Sequence, residues 1–160
     1  MASLDTYYAA PKGGSVLMPV VFPRFHDIYK QAGVHDSYGE IPDSDGRTFA
    51  ATLERALKSR APFVQIATWN DWGEGTGIEP TTDFGYRDLE TILKLSQQPN
   101  VSTRRSTDDL RLPYRLWVLR VRQSVTPQRP AALDTIASLL SSGKTASARA
   151  ALTRLESTDR

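Results

Sequence analysis

The chain has 160 residues, 39% hydrophobic and 24% charged, with a formal net charge of +2 and no cysteine. That length suits a domain of ordinary size with a real core, and the balance of residue types excludes a disordered chain. Without cysteine there are no disulfides and no thiolate metal sites, and the redox compartment stays open. No apolar run approaches the roughly 20 residues that cross a bilayer, so no membrane partner is expected. The amino terminus has neither a basic nor an apolar signal region, so no signal peptide is expected and localisation is left unknown.

The net charge conceals an asymmetry. Residues 1–100 carry 9 Lys and Arg against 13 Asp and Glu, while residues 101–160 carry 11 against 5. The arginines of the second part fall at helical positions without interleaved stacking aromatics. A solvated helix face explains them better than a nucleic-acid interface, and no nucleic-acid partner is expected.

In chain order, residues 1–14 are polar and end in the breaker cluster Pro11-Lys12-Gly13-Gly14. Ser15 to Phe22 is continuously apolar and predicts a strand covered on both faces, although Pro19 cannot donate to a ladder. Pro23 to Tyr29 mixes aromatic and ionisable residues at that strand's carboxyl end, and it supplies Arg24 and His26 as candidate substrate contacts. Gly33 to Gly46 predicts an irregular excursion closed by the turn residues Pro42-Asp43-Ser44-Asp45-Gly46. A helix is predicted over about 48–59 with Phe49, Leu53, Ala56 and Leu57 inward, then a strand over 63–67. Thr81-Thr82-Asp83 offers N-caps for a helix over 84–97.

The rest predicts helices. One runs from Leu110 to about Arg122, with Leu112, Leu116, Leu119, Trp117 and Val121 apolar. Helices near 131–141 and 145–155 form an αα-hairpin about the Ser142-Gly143-Lys144 turn. The hairpin resembles a single tetratricopeptide-like unit, and about three such units are needed for a stable solenoid. It is expected to serve packing or protein contacts.

The densest chemistry lies between the second strand and its helix, in Trp69-Asn70-Asp71-Trp72-Gly73-Glu74-Gly75-Thr76-Gly77-Ile78-Glu79-Pro80. Strand, loop, helix, repeated twice, is the pattern of consecutive β/α units, which present sites at the carboxyl ends of their strands. Asp71 and Glu74 stand three residues apart, a spacing that lets two carboxyl groups reach one ligand. Paired carboxylates are the working groups of most glycoside hydrolases, one as general acid and one as base or nucleophile. Trp69 and Trp72 offer flat faces for sugar rings, and Asn70 and Thr76 offer hydrogen bonds to hydroxyls. Glu79 is read as a loop-fixing acid at the edge of the substrate site. No metal is expected, because the loop has no His at ligand spacing, and Ca²⁺ is the one reasonable alternative. No cofactor is expected.

The run from Trp69 to Thr76, continued by Ile78-Glu79-Pro80, resembles the W-N-[ED]-x-x-E-G-T-x-[IL]-E-P signature of glycoside hydrolase families 71 and 99 and their relatives. Asp83-Phe84-Gly85-Tyr86 and Asp45-Gly46-Arg47-Thr48-Phe49 are also similar to that group, so the resemblance covers about residues 15–95. It implies the carboxyl-terminal β/α units of a (β/α)8 TIM barrel over residues 1–100, followed by an α-helical extension over 101–160. It implies a glycosidase acting on α-linked glycans or polysaccharide, in a chain that is a fragment or truncated form. By the family-99 pattern, Asp71 would act on the substrate 2-hydroxyl through a 1,2-anhydro-sugar, and Glu74 would be the general acid/base. Asp71 stands where that family usually has Glu, and Gly73 where it usually has His. Family 71, the α-1,3-glucanases, fits equally. Relatives of this type are often exported. The alternative expectation is a non-catalytic carbohydrate-binding or scaffold protein that keeps the loop.

Overall fold

In the computed structural model the described residues are 2–9, 13, 16–96, 106–122 and 130–158. They divide into two compact units, Met1–Pro99 and Asn100–Arg160.

The first unit opens with helix α1 (Ala2–Ala9), over a stretch whose polar sequence predicted none. Arg55 Nε holds Asp5 at 2.7 Å, and the Tyr8 hydroxyl donates to the Val20 carbonyl. Strand β1 (Val20–Val21) pairs in parallel with β4 (Gln65–Ile66), Val20 opposite Gln65 and Val21 opposite Ile66. Strands β2 (Phe25–His26) and β3 (Glu40–Ile41) form a second, antiparallel pair. Helix α2 (Arg47–Lys58) packs on β1 and on α3 (Arg87–Ser96).

Core formation in this unit follows helical spacing. Phe49, Leu53 and Ala56 of α2 are buried with Val21 and Ile78, and Leu89, Ile92 and Leu95 of α3 pack against them. Each fully buried large apolar side chain contributes about 1.5–3 kcal/mol. Leu57, expected inward, is 40% exposed. The buried face extends instead along the other edge of the helix, through Thr48 and Thr52, the Thr52 hydroxyl donating to the Phe22 carbonyl at 3.1 Å. Phe84, expected to open α3, lies before it, in a turn where the Thr81 hydroxyl accepts from the Phe84 N–H at 3.0 Å.

The expected partial (β/α)8 barrel is overturned. The described residues form six helices and four strands of two residues each, in two separate two-stranded sheets, and they close no barrel. A barrel needs long, tilted, parallel strands buried on both faces. Here the apolar runs that predicted such strands pair over two residues only, and their outer parts face solvent: Val16 is 71% and Phe63 69% exposed. Pro19 and Pro23 bracket β1, and neither has an N–H to extend the ladder. The 33–46 excursion, expected to be irregular, supplies β3 instead.

The second unit holds a 3-10 turn (Thr107–Arg111) leading into α4 (Leu112–Arg122), then α5 (Pro130–Ser141) and α6 (Thr145–Ser157). Ser106 and Asp109 cap the turn reciprocally, side chain to backbone in both directions. Leu112, Leu116 and Leu119 of α4 pack with Leu133 and Ile136 of α5 and with Ala148 and Leu152 of α6. Trp117 and Val121, grouped by sequence with the apolar positions of α4, are 56% and 55% exposed. Many of the basic residues are paired: Arg115 with Glu156 at 2.6 Å, Arg120 with Asp134 at 2.8 Å, and Arg149 with Asp109.

Candidate functional site

The loop after β4 is a compact turn closed by its own polar groups. The Thr68 hydroxyl accepts from the Asp71 N–H at 2.9 Å and lies 3.0 Å from the Thr76 hydroxyl. Asp71 Oδ1 accepts from the Glu74 N–H at 3.0 Å. The Trp69 carbonyl accepts from the Ile78 and Glu79 N–H groups, at 3.0 and 2.8 Å. The three-residue spacing of Asp71 and Glu74 thus has a concrete cause: the first carboxylate caps the turn that carries the second.

A second segment is stitched to this turn. His26 N–H donates to the Glu74 carbonyl at 2.9 Å, and Ile28 N–H to the Gly73 carbonyl at 3.0 Å. Gly75 makes that approach possible, with φ +65° and the site of an added Cβ only 3.1 Å from the His26 carbonyl oxygen. Tyr29 completes the junction, its hydroxyl donating to Glu74 Oε1 at 2.9 Å. Its phenol pKa is raised from the ordinary 10.0, first by this hydrogen bond, then by loss of solvent and by the negative charges of Glu74 and Asp71. Among the described residues neither Asp71 nor Glu74 has an ion-pair partner, and Glu74 Oε2 carries no hydrogen bond.

The sequence-predicted residues separate into two groups. Asp71 and Glu74 are half-buried at the loop surface, with Trp69 and Trp72 beside them 50% and 56% exposed and Asn70 exposed. Neither indole is a core residue. His26 is exposed on β2, and Glu79 is half-buried with its N–H spent on Trp69. Thr76 differs: it is buried, with its hydroxyl turned onto Thr68, and it braces the loop from within.

Arg24 also belongs inside. It is 6% exposed, and its guanidinium bonds Asp88 Oδ2 at 2.6 and 3.2 Å and the Gly77 carbonyl at 3.1 Å. Asp43 lies 3.4 Å away, and the Phe84 ring lies 3.7 Å beneath the guanidinium carbon. Arg24 therefore ties the loop after β1 to the Glu74 loop and to the first turn of α3. The guanidinium expected as a substrate contact is thus engaged in a buried network in this structure.

Three residues escaped the sequence reading. Tyr29, the partner of Glu74, was left without a role, and Asp27 and Tyr38 fix the neighbouring excursion. Asp27 is buried and accepts from the Tyr38 N–H at 2.8 Å, the Ser37 hydroxyl at 3.0 Å and the Tyr29 N–H at 3.3 Å. Loss of solvent pushes its carboxyl pKa up. The hydrogen bonds from Tyr38, Ser37 and Tyr29, with the His35 charge, outweigh this and leave it below the ordinary 3.8. The available signal was period two: in an extended segment Phe25, Asp27 and Tyr29 share one face.

No described group of three His, Asp or Glu residues is placed to hold a metal ion. No described helix is long and apolar enough to cross a membrane. No protein-family model, curated protein or solved structure matches the chain.

Proposed function

We propose that the 69–79 loop is a carbohydrate site of glycoside-hydrolase type, acting on α-linked glycans, with Glu74 as proton donor and Asp71 as base. The reading rests on the resemblance of residues 69–80 to families 71 and 99. The observation that carries it is the Tyr29–Glu74 hydrogen bond at 2.9 Å beside two half-exposed indoles. A general acid needs one carboxyl oxygen held in place and one available to the leaving group. Tyr29 holds Oε1 of Glu74, and Oε2 is left for the glycosidic oxygen. Asp71 fixes the Glu74 backbone from the other side. Trp69 and Trp72 present apolar faces on which the C–H face of a pyranose can stack.

Hydrolysis of α-1,3-glucan and α-mannan oligosaccharides by the purified chain is the direct test. Glu74→Gln is expected to lower the rate by about 10²–10⁴. A Glu74→Gln variant with the wild-type rate would sink the assignment. The exposure of both indoles also favours a second reading, carbohydrate binding without turnover. Binding of the same oligosaccharides, abolished by Trp69→Ala with Trp72→Ala and accompanied by no hydrolysis, would select it.

A further inference from the structure

We infer that Tyr29, His35 and Tyr38 form a second sugar-stacking platform next to Glu74, so that the ligand is an oligosaccharide extending past that residue. This rests on the carbohydrate reading of the Glu74 loop and adds a subsite to it.

Three observations carry it. The first is the cluster itself. The Tyr29 and His35 rings lie 4.5 Å apart by centroid, His35 and Tyr38 4.7 Å, and Tyr29 and Tyr38 5.7 Å in an edge-on pair. The second is exposure. Tyr38 is 74% exposed, His35 is exposed and Tyr29 is half-buried, at the start of a stretch where every residue from 30 to 42 faces solvent. Grouped aromatic surface left in water marks an interaction site more often than a solitary exposed ring does. The third is the cost of holding it there. Ordering each residue of such an excursion costs backbone entropy. The buried Asp27 offsets this by binding the backbone of Tyr38, the side chain of Ser37 and the backbone of Tyr29 together. The β2–β3 pair closes the far end.

The platform is continuous with the proposed site through one residue. Tyr29 gives its ring to the cluster and its hydroxyl to Glu74. A pyranose placed on the Tyr38 side would therefore be a neighbour of the sugar whose bond lies at Glu74. The aromatic faces and the His35 ring match the mixed apolar and polar character of a sugar.

The experiment is a length series. Mannose, glucose and their α-linked di-, tri- and tetrasaccharides are titrated into the full chain, with binding read by calorimetry. Affinity is expected to rise with length in the wild type. Tyr38→Ala is expected to weaken the tri- and tetrasaccharides about five- to tenfold and to leave the monosaccharides unchanged. Tyr38→Trp, which keeps an aromatic face, is expected to retain wild-type affinity. The Tyr38 contact to Asp27 is a backbone N–H, so it survives both substitutions. If Tyr38→Ala weakens all lengths equally, or none, the platform is overturned. If Trp69→Ala with Trp72→Ala abolishes binding while Tyr38→Ala changes no length, the platform falls and the Glu74 loop stands. If the wild type binds no member of the series, both fall together.

Discussion

The cluster around Arg24 and the loop around Glu74 belong to the same unit and share Gly77, yet they treat charge in opposite ways. Arg24 is sealed, with its N–H groups turned onto Asp88, Asp43 and a backbone carbonyl, and with its Nε buried and unpartnered. Glu74 is held by a single phenol and keeps an oxygen at the surface. Both lie in stretches rich in aromatic and ionisable residues, so composition alone treats them alike. What separates them is where their partners come from. The partners of Arg24 come from three distant segments that converge only in the folded unit. Those of Glu74 come from its own turn and the one segment laid beside it.

The comparison breaks most visibly at Arg24. Arg24→Met leaves the carboxylate of Asp88, only 4% exposed, without its principal cation. Removing one member of a buried ion pair costs about 3–5 kcal/mol. Urea denaturation of the variant is expected to show a loss of that size, whereas Glu74→Gln should leave the midpoint nearly unchanged. Equal losses for the two would erase the distinction.

A smaller effect is expected where the loop meets β2. Gly75→Ala places a Cβ at φ +65°, which costs about 1–2 kcal/mol, and crowds the His26 carbonyl at 3.1 Å. Faster amide exchange at His26 and Ile28 would report the loosened stitching. Unchanged exchange there would mean that the contact is not under tension.

Asp27 sharpens the comparison from the side of pH. Its folded pKa lies below the ordinary 3.8, so the order it gives to residues 37–38 is present above that value. The order is lost as pH falls through the folded value. Amide exchange of Tyr38 should therefore accelerate below pH 3.8 in the wild type and be fast at every pH in Asp27→Ala. A Tyr38 amide protected equally in both would refute the anchoring role.

Helices were the legible part of this fold. Period-3.6 apolar spacing marks Phe49, Leu53 and Ala56, and likewise Leu112, Leu116 and Leu119, because one face of each must be buried whatever packs against it. Strands were not legible in the same way. An apolar run such as 15–22 is consistent with a long buried strand, but the length of a strand is set by its partners, and here the pairing stops after two residues. The candidate acids were legible as a spacing, since Asp71 and Glu74 are local to one turn. The burial of Thr76 depends on Thr68 in the same loop, a hydroxyl pairing that spacing alone does not announce. That of Arg24 was not legible because it depends on Asp88, far along the chain. Tyr29 was overlooked for the same reason: its partner lies across the sequence, and only the laying of residues 26–28 against 73–74 brings the two together.

The smallest expected effect tests that junction alone. The Tyr29 phenol is raised above 10.0 first by donating to Glu74, then by partial loss of solvent, and then by the charges of Glu74 and Asp71. Ionising it would remove the donated proton and set a phenolate against two carboxylates, so the protonated form is favoured. A folded value above the unfolded one means that the interaction stabilises the chain fully below pH 10 and is lost as pH rises through the folded value. Glu74→Gln removes both the charge and the carboxylate acceptor, so the Tyr29 phenol should titrate closer to 10.0. Asp71→Asn removes only a more distant charge and should move it less, in the same direction. Tyrosine Cζ resonances followed through alkaline pH give the two shifts directly. A Tyr29 titration that responds to Asp71→Asn but not to Glu74→Gln would mean that the phenol senses the charge of the loop without touching Glu74. The stitched junction, on which both the proton-donor geometry and the adjoining aromatic platform depend, would then be wrong.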